Sequence, residues 1–366
     1  MVAAGTVRGG FRVTGSAGQR VAAIDCGTNS VRLLIADVDA SRCELIDVDR
    51  RMDIVRLGQG VDATGRLAPV ALARTFSKLA EYAKAIGESG ARAVRMVATS
   101  ATRDAANAGE FARGVSEILG VAPEVVSGQE EAFLSFTGAT AELTGPSAAE
   151  RGNPADARPL PPYLVVDIGG GSTEFVLGGT AGPGTAGPGG EAPGAGAFGQ
   201  EAPAAAPEDL AALSTNIGCV RLTERHLHAD PPAPAEIDAA IADIGAALAA
   251  VEASIPVASA RTLVGLAGSV TTLTGIALGL PAYDAARIHH ARISAPMIHE
   301  VTRRLLTQTR TERARIGVLH PGRVDVIAAG ALILDQIVSR FGFGEMVTSE
   351  HDILDGIAWS IVTGGR

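Results

Sequence analysis

The chain has 366 residues, length enough for two domains. Its 31 Lys and Arg against 40 Asp and Glu leave a net charge of −9, which excludes a nucleic-acid coat protein with its basic surplus. With 46% hydrophobic residues, no apolar run long enough for a membrane span, and three scattered cysteines (Cys26, Cys43, Cys219), it reads as a globular cytoplasmic protein with no membrane partner.

Residues 1–20 contain Arg but no apolar segment of signal-peptide type, and a disordered start is expected. From residue 21, VAAIDCGTNS VRLLIADV reads as a strand, a polar turn and a second strand. Leu72, Phe76, Leu79, Ala83 and Ile86 recur at spacings of 4, 3, 4 and 3, an amphipathic helix over 70–87. A strand over 93–98, the polar turn TSATRDAAN and a helix carrying Phe111, Val115 and Ile118 follow. Ser127 and Glu130 fit a capping box that opens another helix. Residues 144–162 and 179–207 read as flexible inserts. In the second, 23 of 29 residues are Gly, Ala or Pro, and a strand resuming at Leu213 makes it the tip of a hairpin. A helix over 235–253, a strand over 262–266, a Gly-rich turn and a helix over 269–279 come next. A long apolar helix over 323–340 and a closing helix over 351–363 end the chain. Strands alternating with helices indicate an α/β architecture.

One pattern occurs twice. An apolar strand ends in Asp25, turns through Gly27, Thr28, Asn29 and Ser30, and returns through Arg32; another ends in Asp167, turns through Gly169, Gly170, Gly171, Ser172 and Thr173, and returns through Glu174. The two Asp lie 142 residues apart, one domain's length. Such turns present backbone N–H groups and hydroxyls to an anion, so the pair reads as a duplicated phosphate clamp. Two facing carboxylates ~6 Å apart would repel by about 3 kcal/mol at an effective dielectric of ~20, which a Mg²⁺ ion or other divalent cation would relieve.

The segments DCGTNSVRLL, ATSATRDAAN, SGQEEAFLSFTGA and DIGGGSTEFVLG, in that order, resemble the exopolyphosphatase/guanosine pentaphosphate phosphohydrolase (Ppx/GppA) family of the actin/Hsp70/sugar-kinase superfamily. The resemblance implies two ribonuclease-H-like (actin-like ATPase) α/β domains with the active site in the cleft between them. The expected division is 21–128, joined by the helix at 351–364, and 129–350. It implies Glu131 as general base, with Asp167 and Glu174 completing a catalytic set and Asp25, Asp167 and Glu174 holding the metal. The two turns, with Arg32 and Arg103, would bind phosphate. GLAGSVTTL at 265–273 resembles the superfamily's adenosine-side motif and adds Gly268 and Ser269. The substrate implied is inorganic polyphosphate or guanosine pentaphosphate; a homodimer is left open. A non-catalytic polyphosphate or alarmone sensor and an ATP-dependent kinase are the competing classes.

Two further features stand outside the motifs. Residues 287–323 hold eight Arg and two Glu, a local basic tract suited to a polyanion track. His289 and His290 are adjacent, so on a strand they would point to opposite faces and not ligate together.

Overall fold

The computed structural model describes residues 18–141, 143, 159–179 and 210–364; residues 1–17 and most of both expected inserts lie outside these. β1 (Gln19–Cys26), β2 (Ser30–Asp39) and β3 (Glu44–Ile54) form an antiparallel meander. α1 (Val61–Thr64) and α2 (Pro69–Ser89) lead back to β4 (Ala93–Ala98), which runs parallel to β1. α3 (Ser100–Arg103) and α4 (Ala108–Leu119) precede β5 (Glu124–Val125), and the strand order is β3-β2-β1-β4-β5.

After α5 (Gly128–Thr140) the scheme repeats. β6 (Tyr163–Ile168), β7 (Thr173–Gly178) and β8 (Ala211–Thr215) form the second meander, α6 (Cys219–His226) and α7 (Pro234–Ser254) follow, and β9 (Thr262–Leu266) runs parallel to β6. Then come α8 (Ala267–Ala277), α9 (Ala285–Ile288), β10 (Arg292–Ser294), α10 (Ala295–Thr307), α11 (Arg310–Arg313), α12 (Ile327–Phe341), β11 (Glu345–Thr348) and α13 (Ile353–Thr363). The second order, β10-β11-β9-β6-β7-β8, repeats the first with one extra edge strand. This is the duplicated ribonuclease-H-like arrangement that the resemblance implies.

Each sheet is covered on both faces, so its central strands read as unbroken apolar runs. All six residues of β6 are buried, as are the last six of β1. One face of the first sheet packs on α2 and α4 through Leu72, Leu79, Phe111 and Val115. Its other face packs on α13 through Ile353, Ile357 and Trp359. In the second sheet, α7, α8, α10 and α12 build the larger core, and α5 covers the opposite face with Ala132, Phe136 and Ala139. The helix that follows the first sheet thus covers the second, and the helix that follows the second covers the first.

Several expectations shift in detail. β3 has no counterpart in the sequence reading, because ELIDVDRRMDI is an exposed, charge-rich edge strand without clean alternation. The polar turn after β4 is partly helical, as α3. Only half of the capping box forms: Ser127 Oγ accepts the Glu130 N–H at 3.1 Å, while the Glu130 carboxylate turns to Arg95 at 3.2 Å. The long helix starts at Ile327, since residues 321–323 form a separate 3-10 turn. β7 and β8 are antiparallel neighbours, the hairpin expected around the second insert.

α5 and α13 cross with no side chain between them. A Cβ on Gly138 would lie 1.8 Å from the Asp352 carbonyl oxygen, and one on Gly356 would lie 2.0 Å from that of Leu134. Backbone cannot yield as a flexible side chain does, so Gly138→Ala should destabilise the protein by about 3 kcal/mol, at the upper end of overpacking costs. Chemical denaturation checks this, and an unchanged midpoint would show that the crossing relaxes freely.

Candidate active site

The two signature turns have the same construction. Gly27 N–H donates to Ser30 O at 3.0 Å, and Gly169 N–H donates to Ser172 O at 3.0 Å. Strand register places Asp25 opposite Arg32 and Asp167 opposite Glu174. The turns meet across the cleft because the second has no side chains there. A Cβ on Gly170 would lie 2.9 Å from Thr28 Cβ, and one on Gly171 would lie 2.7 Å from both Thr28 Oγ1 and Ser100 Oγ. Those two hydroxyls are themselves hydrogen-bonded at 2.9 Å.

One pocket lies between the turns. Of the residues singled out from sequence, Asp25, Gly27, Thr28, Asn29, Ser30, Arg32, Glu131, Asp167, Gly169, Gly170, Ser172, Gly268 and Ser269 line it. Glu174, Gly171, Thr173 and Arg103 do not line it and sit behind it. Glu174 accepts from Ser214 Oγ at 2.8 Å, and the Thr173 hydroxyl donates to the Ile217 carbonyl. Arg103 departs from its expected role. Its Nη1 donates to Val126 O at 2.9 Å and to Glu131 Oε2 at 3.2 Å, so it is a partner of the carboxylate. Arg32 does line the pocket, but its Nε and Nη2 donate to Asp25 Oδ2 at 3.0 and 2.7 Å, and its Nη1 to Asp352.

Sequence reading missed Arg323, Ser100, Cys219 and Asp352. Arg323 lines the pocket, yet nothing in the sequence separates it from the other arginines of its tract; of those eight, it alone reaches this pocket. The tract is no single surface, since Arg292 pairs with Glu345, Arg303 with Glu300, and Arg313 is buried beside Asp230 at 3.5 Å. Arg323 Nη1 donates to Gly268 O at 2.9 Å and Thr272 Oγ1 at 3.3 Å; among the described residues it has no carboxylate partner. A Cβ on Gly268 would lie 2.0 Å from the Arg323 guanidinium carbon, which explains that glycine. Ala267 beside it holds a left-handed φ of 67°. The histidines also differ from expectation. His290 adopts φ 60°, and the rings of His289 and His290 stack 3.7 Å apart instead of pointing to opposite faces.

Burial and crowding set the electrostatics. Glu131 is pushed up to about 8, first by burial and then by Asp167 and Asp25, against the pull of Arg103. Asp167 rises to about 6, through burial and the charge of Asp352, opposed by a 2.8 Å hydrogen bond from Ser135. Glu174 rises well above the usual range, through burial and then Glu131 and Asp167. Burial raises Asp25 too, with Arg32 opposing. Among the described residues no three His, Cys, Asp or Glu side chains form a ready metal-ligand set. The expected trio is instead tied to neighbours, Asp25 to Arg32, Asp167 to Ser135 and Glu174 to Ser214. One oxygen of the trio, Asp25 Oδ1, is buried without a hydrogen-bond partner.

The Ppx/GppA phosphatase family model matches residues 34–363. Exopolyphosphatase 2 of Mycobacterium tuberculosis is 46% identical over 353 residues, covering 93% of this chain and 98% of that protein. The crystal structure of an exopolyphosphatase-like protein superposes with a TM-score of 0.78 at 39% identity, covering 93% and 98% of the two chains. The PPX-GPPA enzyme of Aquifex aeolicus does so with 0.69 at 28% identity, covering 93% and 99%. No helix among the described residues is long and apolar enough to cross a membrane.

The raised carboxyls carry a pH prediction. Folded, they keep protons that the unfolded chain releases near pH 4 to 4.5, so folding loses stability as pH rises from there to about 8. In buffer free of divalent cations the wild type should melt lower at pH 8 than at pH 5, and Glu131→Gln should reduce the difference. Parallel thermal melts test this; identical slopes for both proteins would remove Glu131 from the account.

Proposed function

The chain belongs to the Ppx/GppA phosphatase family and is a phosphoanhydride hydrolase, and from that premise we propose that it removes the terminal phosphate of inorganic polyphosphate. The observation that carries this reading is the composition of the pocket. A buried carboxylate, Glu131, lines the pocket with two N–H-rich turns and an arginine, Arg323, that forms no ion pair among the described residues.

Each part has a task in attack by water on a terminal phosphoryl group. The turns at Gly27–Ser30 and Gly169–Ser172 supply neutral donors for phosphate oxygens, and Arg323 supplies the net positive charge. Glu131 acts as general base, orienting a water and taking its proton. A value pushed up to about 8 suits that task, since a base works best when its affinity for the proton matches the working pH. Arg103 holds the carboxylate by one oxygen and favours its charged form, leaving Glu131 Oε1 for the water.

The donor set fits a hard dication. Every expected ligand is an oxygen, Asp25 Oδ1 is buried without a hydrogen-bond partner, and burial raises the proton affinity of the crowded carboxylates, which a dication beside them would offset. Asp25 and Asp167 would hold Mg²⁺, with Glu174 behind them. When bound, the ion would neutralise charge on the phosphoryl oxygens. A second chamber, sharing Thr28, Asn29 and Val326 with the pocket, offers room for the rest of the substrate. The same room would admit guanosine pentaphosphate, so the assay needs both substrates. A cytoplasmic location is part of the proposal and rests on the scattered cysteines.

Phosphate release with Mg²⁺ should be measured on long polyphosphate, short polyphosphate and guanosine pentaphosphate. Glu131→Gln should lower kcat by about 10²- to 10⁴-fold with substrate binding retained. Arg323→Ala should raise KM by roughly 10- to 100-fold, the scale of a lost charge-assisted hydrogen bond. Release from the nucleotide alone would replace the substrate, and binding without release from any of the three would make the protein a sensor.

A further inference from the structure

We propose that Asp352 is a positioning residue for this hydrolysis: it holds the Arg32 guanidinium against Asp25 and cancels its charge, so that phosphate is received by Arg323 and the two turns. This rests on the reading of the pocket as the hydrolytic site. Asp352 is 4% exposed and lies behind the pocket lining, where it contacts Arg32 and is followed in the chain by the lining residue Ile353. It is fixed by its place at the start of α13. Its Oδ1 accepts the Leu354 N–H at 3.0 Å, and its own N–H donates to Asp355 Oδ2 at 2.9 Å. Asp355 is anchored in turn by Arg50 at 2.6 Å and His351 at 2.8 Å. The close crossing at Gly138 pins the Asp352 carbonyl to the helix that carries Glu131.

Arg32 therefore spends three of its five N–H donors on two carboxylates, and the Asp25–Arg32–Asp352 trio carries a net charge of −1. Asp25 alone would leave a neutral pair whose Arg32 Nη1 is free to donate to phosphate. That would strengthen binding of substrate and product in the ground state, which does not accelerate the chemical step. In the duplicated hairpin the position equivalent to Arg32 is Glu174, so the second copy has no cation to restrain.

Asp352→Asn is the test, because Asn caps a helix as well as Asp does while removing the charge. Inorganic phosphate, titrated calorimetrically without divalent cation, should bind the variant about tenfold tighter than the wild type. In the Mg²⁺ assay both KM and kcat should fall, kcat by roughly tenfold. Asp352→Glu should restore both values toward wild type, and adding Arg32→Gln to Asp352→Asn should abolish the gain in phosphate affinity. Unchanged or weaker phosphate binding in Asp352→Asn, or a gain that survives the loss of Arg32, would overturn the proposal and leave Asp352 as a helix cap. If the wild type releases no phosphate from any substrate, the functional reading fails, while the phosphate titration still decides the role of Asp352.

Discussion

The structure depends on burying like charges together. Asp25, Glu131, Asp167 and Glu174 are each less than a tenth exposed and cluster at one pocket, with Glu174 behind its lining, and among the described residues Arg32 and Arg103 are the cations paired with them. Removing a carboxylate from water favours its protonated form, and each neighbouring negative charge adds to the effect. Side chains free to move would separate. They stay because each is mounted on an element with no freedom to retreat: Asp25 and Asp167 are the penultimate residues of buried central strands, Glu174 is the second residue of the neighbouring strand, and Glu131 projects from the first turn of a helix packed on the second sheet. The rest of the molecule can be read as the support for that accumulation of charge. Protons or a cation would relieve that repulsion, and on the proposed function a substrate that brings phosphate and metal together would suit such a site.

Duplication supplies the support cheaply, and divergence between the copies supplies the chemistry. The strand order and the turn hydrogen bond are common to both halves. The side chains that differ are the ones that matter. Threonine and asparagine in the first turn stand against bare glycines in the second, which is why the two can touch. Across from the strand-end Asp, one copy has Arg32 and the other Glu174. The helices exchanged between sheets then lock the halves together, through a crossing that only glycine permits.

Most of the fold was legible because its central elements obey simple periods. β4 coincides with the expected 93–98, and α2 and α7 lie within two residues of expectation. The repeated Asp–turn–strand pattern located ten residues of the pocket before any geometry was known, and the family resemblance added Glu131, Gly268 and Ser269. What escaped has physical reasons. An edge strand such as β3 lacks the apolar alternation that burial imposes. Arg323 is one arginine among eight, and its distinction, a place over a residue without a side chain, exists only once residues 268 and 323 meet in space. Asp352 looks like an ordinary helix cap, which it also is. Arg103 was given to phosphate because arginine suits phosphate, whereas the chain brings Glu131 within its reach first.

If the chain acts on polyphosphate as proposed, the allocation of charge around the pocket explains how an acidic site receives a polyanion. The pocket is lined by carboxylates, two of them paired with Arg32 and Arg103, by the neutral donors of the turns, and by Arg323, whose own partners are a carbonyl and a hydroxyl. On the proposed function, a phosphate chain would be held by the turns and Arg323 with its end brought toward Glu131, and the carboxylates there would disfavour the bare orthophosphate left after cleavage. Were Arg32 uncompensated, or Arg323 paired, the same residues would make a better trap and a poorer catalyst, since tight binding of the product slows every turnover.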